Sequence, residues 1–203
     1  MARLRTVSII LATIGLAGAG PTLAAKLMPK GKQTFVAKSA LMITPAVDWN
    51  RIGARPGRNA ESWTLDGLSL NDVTFYGGIA NDTTLFRDAK KKTEPLPRFS
   101  TTMLAPDIAQ LFESSYRVSV GTSLMSIDSI EPAVFAGQPG FRFAYSFVVQ
   151  GEEVRRKGEA TGAVIGGKLY LITFEAPVIH YFDATVARYR ELAASAAIGT
   201  VKR

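Results

Sequence analysis

The feature that most constrains this chain is a run of alternating residues between Phe141 and Glu175 that glycine-rich turns interrupt. Large apolar side chains occupy every second position of its first part, at Phe141, Phe143, Tyr145, Phe147 and Val149. A period of two is typical of a β-strand with one apolar face. Gly166-Gly167 separates two further runs, and glycine reaches the positive φ that a two-residue hairpin requires. The stretch therefore predicts a meander of three antiparallel strands.

The turns also predict the register of this meander. Two-residue loops at Gly151-Glu152 and Gly166-Gly167 place rings opposite small residues: Phe141 opposite Gly162, Phe143 opposite Ala160 and Tyr145 opposite Gly158. Such pairs suit a packed sheet, because an aromatic ring covers the backbone that a glycine leaves bare. A three-residue first turn would shift the register by one and break this pattern.

The first 25 residues have the layout of a secretory signal peptide. Arg3 and Arg5 precede an apolar run over residues 7–20, and small residues lead to Ala25. This run is shorter than the roughly 20 residues that span a bilayer. We therefore predict cleavage near Ala25 and a periplasmic or secreted protein, with an uncleaved N-terminal anchor as the alternative. Because the chain has no cysteine, it can carry neither a lipoprotein anchor at the cleavage site nor disulfide bonds.

The length and charge of the chain give broader limits. Its 203 residues suffice for one domain with a substantial core. We predict a signal peptide over residues 1–25, a basic linker over 26–33 and a single domain over 34–200. Cleavage would remove two arginines and no acid, so the net charge would fall from +7 to +5. Such an excess suits an anionic surface and is equally compatible with plain solubility. We expect no nucleic-acid partner for an exported protein.

Helical patterns occur on either side of the meander. Residues 106–116 begin with a proline, which the first turn of a helix tolerates, and their apolar side chains fall on one face: Ile108, Leu111, Phe112 and Tyr116. A second helix is predicted from about Phe182 to Ala197. Short strands are expected over residues 35–38, 41–44 and 62–65. After a hairpin turn at Asp66-Gly67, residues 68–79 are expected to form a longer strand or a pair of strands interrupted near Asn71-Asp72. The sequence thus predicts an α+β fold, an antiparallel sheet with helices packed on it.

This order of elements resembles the PsbP-like α/β/α sandwich. The likeness is carried by residues 41–45, by Asp48-Trp49-Asn50, by the meander over 141–174 and by the closing helix. The chain also looks like small exported proteins of Gram-negative bacteria that share Trp49-Asn50-Arg51 and Trp63-x-x-Asp66-Gly67. The resemblance implies the fold and an accessory or binding role over residues 34–200. It transfers no catalytic residue, and the photosystem role of the plant proteins does not follow from a fold alone.

No catalytic residue, cofactor or metal site is predicted. His180 is the only histidine and there is no cysteine, so a zinc site built from these ligands is not available. As a general base, His180 would need a nucleophile and an orienting acid. Asp183 is near in sequence, but a place at the start of the second helix explains it better. The two carboxylates of a glycosidase site are recognised by their distance in the folded protein, so the sequence neither establishes nor excludes such a pair.

Five residues are candidate binding residues: Trp49, Arg51, Trp63, Arg142 and His180. Tryptophan is enriched at interfaces, and arginine suits anionic ligands. As alternatives, both tryptophans rim the core, Arg142 forms an ion pair with Glu159, and His180 is half-buried at a corner between strand and helix. A basic patch for lipid phosphates is also predicted, from Lys90, Lys91, Lys92, Arg155 and Lys157. A solvated charged face is the alternative for this patch.

Three hypotheses for function follow from the sequence. The first is a non-enzymatic periplasmic accessory or binding protein, with a protein partner or a small ligand in the cell envelope. The second is a peripheral envelope protein that binds anionic lipid through the basic patch. The third is a hydrolase with an unrecognised site, for which the structure should show a cleft lined by His180 or by two nearby carboxylates.

Overall fold

A computed structural model describes residues 25–89, 92–122 and 124–200 of the chain. These residues form eleven strands, which are β1 (Ala25–Met28), β2 (Thr34–Phe35), β3 (Leu41–Ile43), β4 (Trp49–Ile52), β5 (Ala60–Thr64), β6 (Asp72–Ile79), β7 (Met125–Phe135), β8 (Gln138–Val148), β9 (Arg155–Ile165), β10 (Lys168–Pro177) and β11 (Ala197–Ile198). Two helices accompany them, α1 (Ala105–Val120) and α2 (Tyr181–Ala194). In this part of the chain no helix is long and apolar enough to cross a bilayer.

The strands form two antiparallel sheets. The large sheet has the order β1-β4-β5-β6-β10-β9-β8-β7, and the small one has the order β11-β3-β2. The predicted α+β class, an antiparallel sheet with helices packed on it, is confirmed. The meander has four strands rather than three, because β7 pairs with β8 along its whole length.

The predicted register of the meander is confirmed. Phe141 lies opposite Gly162 and Tyr145 opposite Gly158, and Gly166-Gly167 forms the second hairpin loop with φ of 58° and 72°. The first loop differs, since β8 and β9 are joined by residues 149–154. Its tight turn is closed by the N–H of Glu152 donating to the carbonyl of Val149 at 3.0 Å. Gly151, with φ of 85°, takes the third position of that turn, where positive φ is required.

The N-terminal half differs more from the predictions. Residues 25–28, where the linker was expected to begin, form β1 at the edge of the large sheet, paired with β4. An edge strand accepts the charge of Lys26 because one side of it faces solvent. The predicted turn at Asp66-Gly67 is part of a longer connection over residues 65–71, between β5 and β6. Apart from Ala25, the predicted signal peptide lies outside the described residues.

Each face of the large sheet carries its own core. On one face, Phe112 of α1 packs against the ring of Tyr145 with their centroids 5.1 Å apart. On the other, Tyr189 of α2 stacks on Phe174 at 5.3 Å and donates to the carbonyl of Ile172 at 3.0 Å. Both predicted helices are confirmed. The first runs one turn beyond Tyr116, because Gly121 in the left-handed conformation ends it.

Candidate functional site

The face of the large sheet beneath α1 changes from apolar to polar toward one end of β6 and β10. Alternation places these residues of β10 on that face in order: Leu169, Leu171, Thr173 and Glu175. The matching residues of β6 are Tyr76, Thr74 and Asp72. A strand position that faces a packed core normally carries an apolar side chain. Two acids at such positions therefore mark the point where the core beneath α1 ends.

Asp72 and Glu175 are direct partners across β6 and β10. In an antiparallel pair, directly opposed residues hold their Cβ atoms about 4.5–5.5 Å apart. The Tyr116 hydroxyl on α1 donates to Oε2 of Glu175 at 2.6 Å. The Thr74 hydroxyl donates to Oδ1 of Asp72 at 3.2 Å, and the Ser62 hydroxyl lies 2.6 Å from that of Thr74. Both carboxyls are thus held in place by neighbouring hydroxyl groups.

Burial controls the protonation of this carboxyl pair. It raises the pKa of Asp72 to about 8, and the negative charge of Glu175 adds to the increase. Burial also raises the pKa of Glu175, against the lowering effects of the Tyr116 hydroxyl and the Arg156 guanidinium. With a pKa of about 8, the Asp72 carboxyl is mostly protonated at neutral pH, beside the carboxyl group of Glu175. The pair can both donate a hydrogen bond to a ligand and accept one.

A buried arginine lies near the pair. Arg156 is 7% exposed, and its guanidinium donates to the carbonyls of Ser69 at 3.0 Å and Leu68 at 3.4 Å. Its positive charge lowers the pKa of both Asp72 and Glu175. Arg156 therefore ties the 65–71 connection to β9 and offsets part of the negative charge of the pair.

The carboxyl pair lies on the floor of a two-lobed cavity, which we call the acidic cleft. The first lobe, about 390 Å³, has Phe86 and Leu96 in its walls. The second, about 630 Å³, opens between the 65–71 connection and residues 177–181, with Leu68 and Ile179 in its walls. Both lobes reach four residues: Asp72, Tyr116, Val120 and Glu175. Apolar walls around a few convergent polar groups are the usual composition of a small-molecule site.

The two candidate tryptophans and Arg51 lie away from this cleft. Trp49 and Trp63 are buried in the core beneath α2. The Nε1–H of Trp63 donates to Oε1 of Glu61 at 2.9 Å. Nη1 of Arg51 lies 3.8 Å from the same oxygen. The structure thus brings Arg51 and Trp63 together at Glu61.

The other two candidates lie apart from each other. Arg142 is half-buried and pairs with Glu131 at 2.9 Å. The alternative ion pair with Glu159 is wrong, because Glu159 binds Arg190 of α2 at 2.6 Å. His180 is exposed at the corner before α2, with a φ of 68°. Its ring contacts that of Tyr181 at a centroid distance of 5.5 Å.

The described residues of the predicted basic patch, Lys92, Arg155 and Lys157, lie on a loop and on a strand. Arg155 and Lys157 are exposed on β9 and alternate with the buried Arg156, so they share the α2 face of the sheet. The loop that carries Lys92 packs through Phe86 and Leu96 against the core beneath α1. Lys90 and Lys91 lie outside the described residues.

The carboxyl pair was not predicted from the sequence, although one of its two residues, Glu175, stands out in the pattern of its strand. Glu175 continues the alternation of Leu169 and Leu171, so a charged residue stands at a core-facing position. Asp72 left no such signal, because it follows a connection whose length was mispredicted. Among the described residues, no group of three or more His, Asp or Glu side chains is placed to hold a metal ion.

Comparisons with known proteins support the fold. No family model matches the chain, and no curated protein matches its sequence. Among solved structures, it is similar to the solution structure of CyanoP, the cyanobacterial PsbP of Synechocystis sp. PCC 6803. That match has a TM-score of 0.50 and 19% identity, and it covers 93% of this chain and 98% of CyanoP. The chain therefore has a PsbP-like fold, as the order of its elements predicted.

A second solved structure matches less closely. LpqN of Mycobacterium tuberculosis, which is involved in cell envelope biogenesis, matches with a TM-score of 0.36 and 9% identity. The match covers 87% of this chain and 92% of LpqN.

Proposed function

We propose that this chain is an exported, non-enzymatic binding protein of the cell envelope that holds a small organic molecule in the acidic cleft. The observation that carries the proposal is the Asp72–Glu175 pair, two half-buried acids on the floor of an open cavity. Burying acids side by side is unfavourable, and ionisable groups with strongly shifted pKa values in a cleft cluster at functional sites. The signal-peptide layout of residues 1–25 supports export.

The chemistry of the cleft favours a ligand with one polar end and an apolar body. The protonated Asp72 carboxyl and the acceptor oxygens of Glu175 suit a hydroxyl group, which can both accept and donate a hydrogen bond. Leu68, Val154 and Ile179 give the second lobe an apolar wall for the rest of the molecule. Val154 and Ile179 are exposed, so a ligand there would cover apolar surface that now faces solvent.

A thermal-shift screen of small organic compounds against the mature chain tests this proposal. Compounds that bind the cleft should raise the melting temperature in proportion to their concentration. Val120→Trp would fill the space shared by both lobes and should abolish the increase. Val134→Trp is the matched control, because Val134 is 77% exposed on β7. Glu175→Gln should weaken binding at least about tenfold, since a charged hydrogen bond contributes roughly 1.5–3 kcal/mol.

Two outcomes of this screen would contradict the proposal. Equal stabilisation of wild type and Val120→Trp would place the ligand outside the cleft. Chemical conversion of a bound compound, lost in Glu175→Gln, would make the protein an enzyme.

A hydrolase is the second candidate function, and one observation favours it. From the sequence, a hydrolase is expected to show a cleft lined by two nearby carboxylates, and Asp72 and Glu175 line such a cleft. Retaining glycosidases hold their two carboxyls about 5–5.5 Å apart, close to the spacing of opposed residues on neighbouring strands. Release of a fluorophore from aryl glycosides, lost in Asp72→Asn and kept in the exposed Glu131→Gln control, would support this candidate.

A further inference from the structure

A second concave region, which we call the basic pocket, adjoins the acidic cleft. It has a volume of about 580 Å³, and Phe86, Arg87 and Asp88 line both cavities. Five cations line the pocket, Lys38, Arg55, Arg58, Arg87 and Arg98, against the two acids Asp82 and Asp88. The lining therefore has an excess of three positive charges.

Only part of this positive charge is neutralised by the protein. Arg98 pairs with Asp82 at 3.2 Å and also donates to the carbonyl of Asp82 at 2.7 Å. Within residues 25–89, 92–122 and 124–200, the structure gives no ion pair to Lys38, Arg58 or Arg87. All three are exposed at the rim. Clustered cations in a concave site attract an anion more strongly than isolated surface charges do.

Arg55 is positioned in the pocket wall by a buried acid. Its Nη2 lies 3.6 Å from Oε2 of Glu61, and Glu61 is itself 2% exposed. Glu61 also accepts hydrogen bonds from Trp63 and from the backbone N–H of Ala37 at 3.3 Å. Nη1 of Arg55 is buried and has no hydrogen-bond partner among the described residues. The guanidinium thus retains donor capacity that Glu61 does not use.

The backbone around the pocket is held in unusual conformations. Ala37, Lys38 and Asp82 have φ of 53°, 52° and 58°, in the left-handed region that favours glycine. Lys38 and Asp82 both line the pocket. Such conformations persist only where the surrounding structure imposes them, and they cluster at ligand sites.

We propose that the basic pocket binds a phosphate group. The fork of an arginine side chain matches the oxygen atoms of a phosphate, and several arginines can share one such group. Arg58 and Arg87 would hold the group from the rim, and Arg55 would contact it from the wall. Asp88 reduces the positive charge of the pocket but leaves the excess of three. The group could belong to a soluble phosphate ester or to a phospholipid headgroup.

Two binding measurements on the mature chain distinguish these sources. Isothermal titration with inorganic phosphate reports a soluble ligand. Co-sedimentation with phosphatidylglycerol vesicles, compared with phosphatidylcholine vesicles, reports a lipid headgroup. The test variant is Arg58→Gln/Arg87→Gln, and the matched control is Arg155→Gln/Lys157→Gln. Each removes two exposed cations, so their net charges are equal.

We expect the wild type and the control variant to bind one of the two probes. Binding by Arg58→Gln/Arg87→Gln should be weaker by at least about tenfold, as expected when charge-assisted hydrogen bonds are lost. The melting temperature should be unchanged in both variants, because all four side chains are exposed. If the double variant fails to fold, Arg58→Gln alone gives the same comparison.

Three results would overturn the proposal. In the first, neither probe binds. In the second, both double variants lose binding equally, which indicates a response to net charge alone. In the third, only Arg155→Gln/Lys157→Gln loses binding, which would favour the basic patch predicted from the sequence. Val120→Trp should leave phosphate binding intact, so this proposal can fail without the proposed function of the cleft failing.

Discussion

The Asp72 carboxyl makes the stability of the protein depend on pH. Burial raises its pKa to about 8 in the folded chain, whereas an unfolded aspartate loses its proton near a pKa of about 3.9. Between these values the folded state binds one more proton than the unfolded state. The free energy of unfolding therefore falls as the pH rises across this interval. The raised pKa of Glu175 acts in the same direction. The stabilising effect is complete below about pH 4 and is lost as the pH passes through about 8.

Asp72→Asn should remove much of this dependence. Asparagine keeps an oxygen that can accept the Thr74 hydrogen bond, and it carries no charge beside Glu175. At pH 8 we expect the variant to exceed the wild type in stability by about 1–3 kcal/mol, with a smaller difference at pH 5. Urea unfolding followed by circular dichroism at both values measures this. Glu153→Gln, at an exposed residue of the 149–154 connection, is the control. Parallel pH profiles for the wild type and Asp72→Asn would contradict the assignment.

Among the connecting elements, residues 65–71 are organised by one buried side chain. Oδ1 of Asn71 accepts from the N–H of Leu65 at 2.7 Å and from the Thr64 hydroxyl at 2.9 Å. Its Nδ2 donates to Asp66 at 2.7 Å. The same connection supplies the carbonyl groups that bind Arg156 and a wall of the acidic cleft. Asn71 therefore links the conformation of this connection to the shape of the second lobe.

Asn71→Ala should loosen the connection while leaving the strands paired. The lost hydrogen bonds would lower the free energy of unfolding by about 2–4 kcal/mol, because buried groups would lose their partners. Amide hydrogen exchange should accelerate over residues 65–70 and stay unchanged in β9. Asn81→Ala is the control, since Asn81 is exposed and its side chain accepts one bond, from the N–H of Thr101. Unchanged exchange over residues 65–70 would show that the backbone alone holds this connection.

The elements that the sequence predicted well are those with local signals. The alternation that begins at Phe141 and the glycine pair at 166–167 are each patterns of neighbouring residues. The register of the meander and its second hairpin could therefore be predicted from them. Asp66-Gly67 carries an equally strong hairpin signal, yet the buried side chain of Asn71, four residues beyond Gly67, bonds to Leu65 and Asp66 and holds a longer connection. The two-residue turn therefore loses to side-chain hydrogen bonds that a dipeptide signal does not include.

The candidate site could be predicted only in part, for a related reason. Glu175 departs from the alternation of its own strand, which is visible in the sequence. Its partner Asp72 depends on the pairing of β6 with β10, and that ladder shifts register between Leu169 and Leu171. The shift falls at Gly77-Gly78 of β6, where Gly78 has a φ of 67°. A glycine pair in a strand marks a bulge but does not specify which residues it brings opposite each other. The basic pocket likewise combines side chains from several separate segments of the chain, which only the folded structure brings together.

At the scale of the whole molecule, one sheet supports two cores. Successive residues of β6 and β10 contribute alternately to the core beneath α1 and to the core beneath α2. Trp49 and Trp63 both belong to the second core. Since the same strands carry both cores, loss of one should remove the support of the other. We therefore propose that residues 34–200 unfold as a single cooperative domain.

Phe112→Ala tests this cooperativity from the face that has no tryptophan among its described residues. Phe112 is fully buried against the rings of α1 and the meander, so its truncation should cost about 3–5 kcal/mol. Tryptophan fluorescence reports the α2 face, whereas far-ultraviolet circular dichroism reports the whole fold. In a cooperative domain both probes should shift to the same lower midpoint. Tyr189→Ala on the α2 face is the matched control and should shift both probes together as well. If Phe112→Ala moved the circular dichroism midpoint and left the fluorescence midpoint in place, the two faces would unfold separately, because the sheet would not transmit the loss.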